Sequence, residues 1–296
     1  MSGPAASAAT PLVAVPNVSE GRDPAVLDAI GAAFAQHAQL LDRHSDADHH
    51  RSVFTLAGAP ATLAQALLAG AREAVSRIDL NQPRGQHPHV GALDVAPLVY
   101  FSAHSRGAAC AEALLTAELI ASELELPVFL YGLLAGGRSR AEIRRGGRSD
   151  LAARIAAGEL TPDFGPQRLH PTAGATLVAA RPPIVAFNLE LAPPANLNTA
   201  REVAAVVRQS GPLGVRAIGL ELASRDHGAQ VSMNVEDPYG TPLAAIVAQV
   251  ASLAPLATAE IVGLVPRAAL EGFPAELEIR GFDPARQIVE NALTFL

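Results

Sequence analysis

The sequence predicts an α/β (α+β) protein made of two βαββαβ units, and three observations carry that prediction. Apolar runs of strand length alternate with Ala- and Leu-rich segments whose apolar residues recur at helical spacing. The order strand, helix, strand, strand, helix, strand can be read twice, which is the split unit of ferredoxin-like folds. The chain has 296 residues, 49% of them hydrophobic, which is long for one core and enough to fill two.

The first half opens with an apolar strand over 12–15 that runs into Pro16-Asn17. Asp23 before Pro24 starts a helix. The carboxylate caps free N–H groups, and a proline at the first helical position lacks only a donor that has no partner there. Val26, Leu27, Ile30 and Phe34 then share one helical face. Residues 39–42 and 52–56 are predicted strands, joined by a polar loop. An Ala/Leu-rich helix over 61–78 follows, and Gly91 leads into a strand in which only Asp94 is charged. A helix over 108–124, a strand over 128–131, an Arg/Gly-rich connection, a helix over 151–157, a loop over 162–166 and a strand over 176–180 complete this half.

The second half repeats the order, with strands over 184–191, 215–222, 229–235 and 259–264 and helices over 197–209 and 243–253. The halves share element order and no convincing sequence identity. The boundary falls at Arg181-Pro182-Pro183. The expected division is therefore a disordered tail over 1–11, an N-terminal subdomain over 12–181 and a C-terminal subdomain over 182–296. Two α/β layers, each with one sheet face to cover, are expected to pack together with the substrate site in the crevice between them.

Composition excludes several classes. A net charge of -7 argues against nonspecific nucleic-acid binding, which needs a basic footprint. Trp is absent and aromatics are 4%, so a stacking platform for bases is not expected. The single cysteine, Cys110, forms no intrachain disulfide and reads as a core filler. Gly, Pro or charge interrupts each apolar run before membrane-spanning length. The first ten residues have no basic start and no apolar core, so no export signal is expected and the protein reads as cytoplasmic.

Several segments carry candidate chemistry. Arg84-Gly85-Gln86-His87-Pro88-His89 holds an imidazole in a stiff turn ahead of a strand, a suitable place for proton transfer. By residue chemistry alone, an acid–base role for His87 and a structural one stand level. His44-Ser-Asp46-Ala-Asp48-His49-His50-Arg51 offers five potential ligands for Zn, Mn or Fe. It is open to three readings: a metal-dependent hydrolase site, a substrate-binding loop or a solvated turn. Pro16-Asn17-Val18-Ser19-Glu20-Gly21 ends the first strand with polar groups that suit a buried ligand or a turn. The loop from Pro162 to Gly174 carries three Pro and two Gly, and such stiffness lowers the ordering cost of binding. Its alternative is a linker. Arg138, Arg140, Arg144, Arg145 and Arg148 read first as a solvated basic face, and second as an attractor for a polyanionic tail. No phosphate-binding or dinucleotide glycine fingerprint occurs in a strand–turn–helix context.

Taken together, ten short motifs in order resemble the glutamate formimidoyltransferase (formiminotransferase) family over about residues 12–265. They are Val15-Pro-Asn17-Val-Ser-Glu20-Gly21, Leu41-Asp42 with Arg51-Ser-Val53, Gly85-Gln-His87-Pro-His-Val-Gly-Ala-Leu-Asp94-Val95, Leu130-Tyr-Gly132, Pro162-Asp-Phe-Gly-Pro166, Gly174-Ala-Thr176, Ala186-Phe-Asn188, Ala217-Ile-Gly219, Ala229-Gln-Val-Ser-Met-Asn234 and Gly263-Leu-Val-Pro266. The resemblance implies transfer of a formimidoyl group from N-formimidoyl-L-glutamate to nitrogen 5 of tetrahydrofolate, a step of histidine breakdown. It implies two ferredoxin-like subdomains, tetrahydrofolate as co-substrate, no required metal and a homodimer. The cyclodeaminase domain of the bifunctional enzymes is expected to be absent.

Carried over residue by residue, the family's catalytic histidine falls on His87. Its folate-binding loop falls on Gly165-Pro166-Gln167-Arg168-Leu169-His170-Pro171-Thr172-Ala173-Gly174. Arg51 is the matching group for the donor's carboxylates, since a guanidinium binds carboxylate bidentately. His44, Asn17 and Glu20 are the other donor-binding candidates, and Asp94, Asn188 and Asn234 are further polar candidates. The mammalian-type pattern has Asp at the position of His44, Asn at His50 and Trp at Ala173. These departures motivate a third reading, a folate-binding paralogue without turnover.

Overall fold

Strand-length apolar alternation builds one sheet in each half of the chain. The computed structural model describes residues 12–82, 89–222 and 228–294. The chain divides between Arg181 and Pro182 into two compact units.

In the first unit the opening strand is broken into β1 (Leu12–Ala14) and β2 (Asn17–Val18). Pro16 stands at the break, where a missing N–H interrupts a ladder. Then come α1 (Pro24–Phe34), β3 (Gln39–Asp46), β4 (Arg51–Gly58), α2 (Thr62–Arg77), β5 (Leu93–Val99), α3 (Arg106–Leu124), β6 (Val128–Leu130), α4 (Arg140–Arg144), α5 (Gly147–Ala156) and β7 (Thr176–Arg181). The carboxylate of Asp23 accepts from Ala25 and Val26 and so caps α1. β3 pairs with β4, β4 with the broken first strand, and that strand with β5, all antiparallel. β7 and β6 then extend the sheet in parallel.

One face of this sheet is dry. Phe54, Leu56, Leu98, Val178 and Ala180 pack there with Phe34, Leu67 and Ile120 from the three long helices. The first two helices approach closely at Gly70, where an added Cβ would lie 2.0 Å from a ring carbon of Phe34. Helix α2 has no side-chain cap of its own, and Ala61 before it has a φ of 72°. The buried carboxylate of Glu112, on α3, supplies the cap by accepting from the N–H groups of Ala61 at 2.6 Å and Ala64 at 2.7 Å. On the opposite sheet face, Val95, Phe129, Tyr131, Leu177 and Ala179 meet Ile143, Leu151 and Ile155 of α4 and α5.

The second unit comprises β8 (Val185–Leu191), α6 (Leu197–Ser210), β9 (Val215–Glu221), β10 (Ala229–Val235), α7 (Leu243–Ala251) and β11 (Leu256–Val262). Its sheet order is β11-β8-β10-β9, antiparallel throughout. Phe187, Leu189, Val231, Met233 and Ile261 pack with Val203, Val207, Ile246 and Val250 of the helices. Asn188, Glu190, Gln230 and Asn234 fall at the alternate positions and make the other face polar. Arg280, from the segment after the last strand, donates to both oxygens of Glu190 at 2.7 and 2.6 Å. Among the described residues no helix is long and apolar enough to cross a membrane.

Three local expectations are corrected. The polar stretch after residue 42 continues as strand to Asp46, because its cross-strand partners Ser52, Val53 and Phe54 hold it in register. The Arg/Gly-rich connection forms two helices, with a Ser139/Glu142 capping box starting the first. The last strand starts at Leu256, and short helices α8 (Pro284–Gln287) and α9 (Val289–Leu293) follow where no element was expected.

Replacing Gly70 tests the helix approach. Alanine normally favours a helix interior by about 1 kcal/mol over glycine. Here the methyl group strikes Phe34, and overpacking costs ~1–3 kcal/mol. Gly70→Ala is expected to destabilise the protein in urea unfolding, against the helix-propensity trend.

Candidate functional site

The chain is tied down on both sides of residues 83–88. Residues 83–88, His87 among them, lie outside the described residues, and the structure describes what flanks them. Asp94 is 2% exposed. Its Oδ1 accepts from the N–H groups of Val90 at 2.8 Å and Gly91 at 3.3 Å, and its Oδ2 pairs with Arg144. Ser19 donates its hydroxyl to the Gly91 carbonyl at 2.7 Å and its N–H to the Ala92 carbonyl at 2.9 Å. A Cβ on Gly91 would lie 2.0 Å from the Ala175 carbonyl oxygen, so only glycine fits. Before the turn, Leu80 donates its N–H to Thr172 and Asn81 donates its amide to Pro171.

The loop from Gly165 to Gly174 is thereby knitted to the residues that flank 83–88. Ala175 donates to the Val90 carbonyl at 3.0 Å and Ala92 to the Ala173 carbonyl at 2.9 Å. Gly174 has a φ of 72°, and a Cβ there would lie 2.0 Å from the Val90 oxygen. His170 closes the loop on itself: its Nδ1 accepts from the N–H groups of Ala173 at 3.0 Å and Thr172 at 3.3 Å. That acceptor role requires a neutral ring. Burial, and then the charge of Arg168, push the His170 pKa below its usual value, with Glu125 opposing. Gly165, Gln167, Arg168 and Pro171 are exposed, and Pro166, Leu169 and Thr172 are half-buried. Ala173 is fully buried in the apolar core. The small residue at this position therefore answers to core volume in this chain.

The segment 44–51 splits into separate pairs. His49 Nδ1 lies 3.1 Å from Asp46 Oδ1, which also accepts the His49 N–H at 2.8 Å. Burial works to raise the Asp46 pKa, but the hydrogen bonds and charge of His49 outweigh it and hold it at about 2. His50 Nδ1 accepts from the Gly21 N–H at 3.2 Å and lies 3.3 Å from Glu20 Oε1. Glu20 Oε1 also accepts from the N–H groups of Gly21, Arg22 and Asp23. Glu20 thus shapes the strand end, whatever else it touches. His50 has a φ of 50°, a left-handed conformation that Asn and His tolerate better than most side chains. Among the described residues no three His, Cys, Asp or Glu side chains stand together as a metal would require.

The strand registers bring a second set of residues onto one face. Arg51, Val53 and Thr55 alternate along β4 and share a side. Val53 stands opposite Asn17 and His44, and Asn17 stands opposite Val95. Val95 neighbours Leu177, whose face includes Arg181, and Leu177 neighbours Phe129, whose face continues to Tyr131. Helix α4 adds Arg140 and Arg144, one turn apart on one side. Arg154, buried, donates to the carbonyls of Glu142, Ile143 and Arg145 and so anchors the helix end. The Arg140 guanidinium lies 5.7 Å from the Tyr131 ring centre.

Burial lowers the Arg51 pKa to about 9, helped by the charges of Arg144 and Arg140 and opposed by Asp94 and Tyr131. Arg181 falls to about 10, through burial first, with Tyr131 opposing and Arg140 adding. Both remain cations at neutral pH. Buried atoms on this face lack a hydrogen-bond partner: Asn17 Oδ1, Thr55 Oγ1 and Tyr131 Oη. The result is a cationic patch with unfilled polar positions, suited to an anion that also carries N–H groups.

The arginine run is therefore not one solvated face. Arg138 pairs with Asp163, Arg144 with Asp94 and Arg148 with Asn81, and Arg140 covers Tyr131. Tyr131, Arg140, Arg144 and Arg181 belong to the site, and sequence reasoning missed that role. The only signal was the i, i+4 spacing of two arginines. Asn188 and Asn234 lie on the sheet of the second unit. Asn188 donates to Glu260 at 2.9 Å, and Asn234 stands opposite Ala186 and Arg216.

The formiminotransferase domain model for the N-terminal subdomain matches residues 12–181. A glutamate formimidoyltransferase of Streptococcus pyogenes serotype M1 is 35% identical over 94% of this chain and 97% of its own length. One of Thermoplasma acidophilum is 31% identical over 91% of this chain and 93% of its own length. The formimidoyltransferase-cyclodeaminase of Gallus gallus is 36% identical over 86% of this chain, which matches 50% of that longer protein.

Two measurements test the ties at the turn. His170 has a lowered folded pKa, so between that value and about 6.5 the unfolded chain binds more protons. Its stabilisation should be complete above about pH 6.5 and lost as pH falls through the folded value. Hydrogen exchange at the Ala173 amide should accelerate over that range, and His170→Asn, which keeps an acceptor, should remove the pH step. Asp94→Ala leaves Arg144 and two N–H groups without their buried partner. It should cost ~3–5 kcal/mol in urea unfolding, with Asp94→Asn milder.

Proposed function

The chain belongs to the formiminotransferase family, and on that premise we propose that it moves a formimidoyl group from N-formimidoyl-L-glutamate to nitrogen 5 of tetrahydrofolate. It is a transferase, and the step serves histidine breakdown. The supporting observation is the set of bonds by which Val90, Gly91 and Ala92, just after residues 83–88, are held to Asp94 and to the end of the Gly165–Gly174 loop, in the sheet whose strand β4 begins at Arg51.

Tetrahydrofolate, when bound, supplies the accepting nitrogen. Attack on the amidine carbon forms the new carbon–nitrogen bond and makes the attacking nitrogen cationic. Neutral His87 takes that proton. As the bond to the glutamate nitrogen breaks, the imidazolium returns the proton there, so charge and atoms balance. An imidazole with a pKa of about 6.5 can do both near neutral pH. Arg51 holds a carboxylate of the donor. The exposed positions of the Gly165–Gly174 loop meet the folate. The hydrolase alternative gains no support from His49 and His50, since His49 Nδ1 is held by Asp46 and the His50 Nδ1 lone pair is taken by the Gly21 N–H. Nor does Ala173 favour the inactive paralogue, because its side chain belongs to the core.

The test is a donor panel of formimidoyl-glutamate, -aspartate and -glycine with tetrahydrofolate, following the folate product. Formimidoyl-glutamate should react. His87→Ala should lower turnover by about a hundred- to ten-thousand-fold with an unchanged circular dichroism spectrum. Near-wild-type turnover in the variant would remove His87 from its role.

A further inference from the structure

The unfilled atoms on the second face of the N-terminal sheet differ in kind, and the differences describe a ligand. Tyr131 is 6% exposed, and no group stands in full hydrogen-bond geometry to its buried hydroxyl. Its oxygen faces the Arg181 guanidinium and favours that cation through charge and hydrogen bonding, which leaves the hydroxyl's own proton to donate. Arg140 over the ring holds it in place. Arg144 is held through one terminal nitrogen by Asp94, and its buried Nε has no partner. Asn17 donates its amide to Val15 at 2.9 Å, which leaves Oδ1 as a buried acceptor without a donor. A buried polar group without a partner is costly, so folded proteins rarely keep several on one face unless something fills them.

The inventory is two donors, Tyr131 Oη and Arg144 Nε, one acceptor, Asn17 Oδ1, and the hydroxyl of Thr55, which serves as either. Donors among guanidiniums suit carboxylate oxygens, and the lone acceptor suits an N–H. We propose that Tyr131 and Arg144 form a second carboxylate subsite beside that of Arg51, and that they select a dicarboxylic donor over a monocarboxylic one. This rests on the transferase reading for its substrate and on the geometry alone for its anion. Tyr131 positions and discriminates here, and it takes no part in the proton transfers.

Glutarate and butyrate, which differ by one carboxylate, are the probes. They are titrated calorimetrically into the full chain and its Tyr131→Phe variant. Wild type should bind glutarate more tightly than butyrate. Loss of a hydrogen bond to a charged group should weaken glutarate about ten- to a hundred-fold in Tyr131→Phe and leave butyrate unchanged. The ligand-free unfolding midpoint should change little, since no group stands in full hydrogen-bond geometry to the hydroxyl, and butyrate affinity separates the proposal from a general loosening of the site, which would weaken both acids. Equal glutarate affinity in variant and wild type would overturn the proposal, as would wild type that does not separate the two acids. If glutarate is selected but no formimidoyl donor reacts, the transferase reading fails and the subsite stands. If formimidoyl-glycine reacts as readily as formimidoyl-glutamate, the subsite fails and the transferase reading stands.

Discussion

Asp94 sits where the buried start of a strand meets the backbone of Val90 and Gly91 and an arginine-bearing helix. One of its oxygens receives the N–H groups of Val90 and Gly91, and the other receives Arg144. A carboxylate this far from water must be matched by donors, because an unpaired buried charge costs several kcal/mol, on the order of 3–5 when one partner is removed. The match has a geometric consequence. The exit of the turn and the position of a guanidinium are set by the same group. The short helix that carries Arg144 has to end where the carboxylate can reach it, and Arg154 secures that helix by filling three of its carbonyls.

Around this point the chain uses backbone more than side chains. The residues flanking 83–88 and the Gly165–Gly174 loop are joined by N–H to carbonyl bonds between positions some eighty to ninety apart, and Gly91 and Gly174 allow the approach. His170 adds a neutral ring that accepts from two amides in place of a further strand. Preorganisation of this kind limits what a loop must lose in entropy on binding. It also separates roles within the loop: Ala173 and Gly174 serve the scaffold, while Gln167 and Arg168 remain open to a ligand.

Each unit has one dry sheet face under its long helices and one face that mixes polar groups with apolar ones. In the first unit that second face gathers Arg51, Arg181 and Tyr131 from strands far apart in sequence. The alternation of strand residues decides membership, and helix α4 supplies the remaining charges. The buried atoms left without partners there are the clearest physical mark of a binding site in the described residues.

Much of this was legible in the sequence. Apolar periodicity and the Asp23-Pro24 cap located the elements, because those signals are local. His87 and the stiff loop over 162–174 were candidates by residue type, and the order of ten short motifs carried the family and with it the expectation for Arg51. Other features depended on contacts that no local pattern encodes. The capping of α2 by Glu112 crosses from one helix to another. The division of His49 and His50 between Asp46 and Glu20 depends on where two strand ends meet. The arginines of 138–148 resembled a solvated face because charge runs usually are one, and Asp94, Asp163 and Asn81 claimed them only once the chain had folded. Sequence determined which residues could do chemistry and which segments would be strand or helix, since both follow from side-chain type and near-neighbour spacing. Tertiary structure alone decided which of those residues face one another, because strand register and the burial of unlike charges join positions that share no local signal.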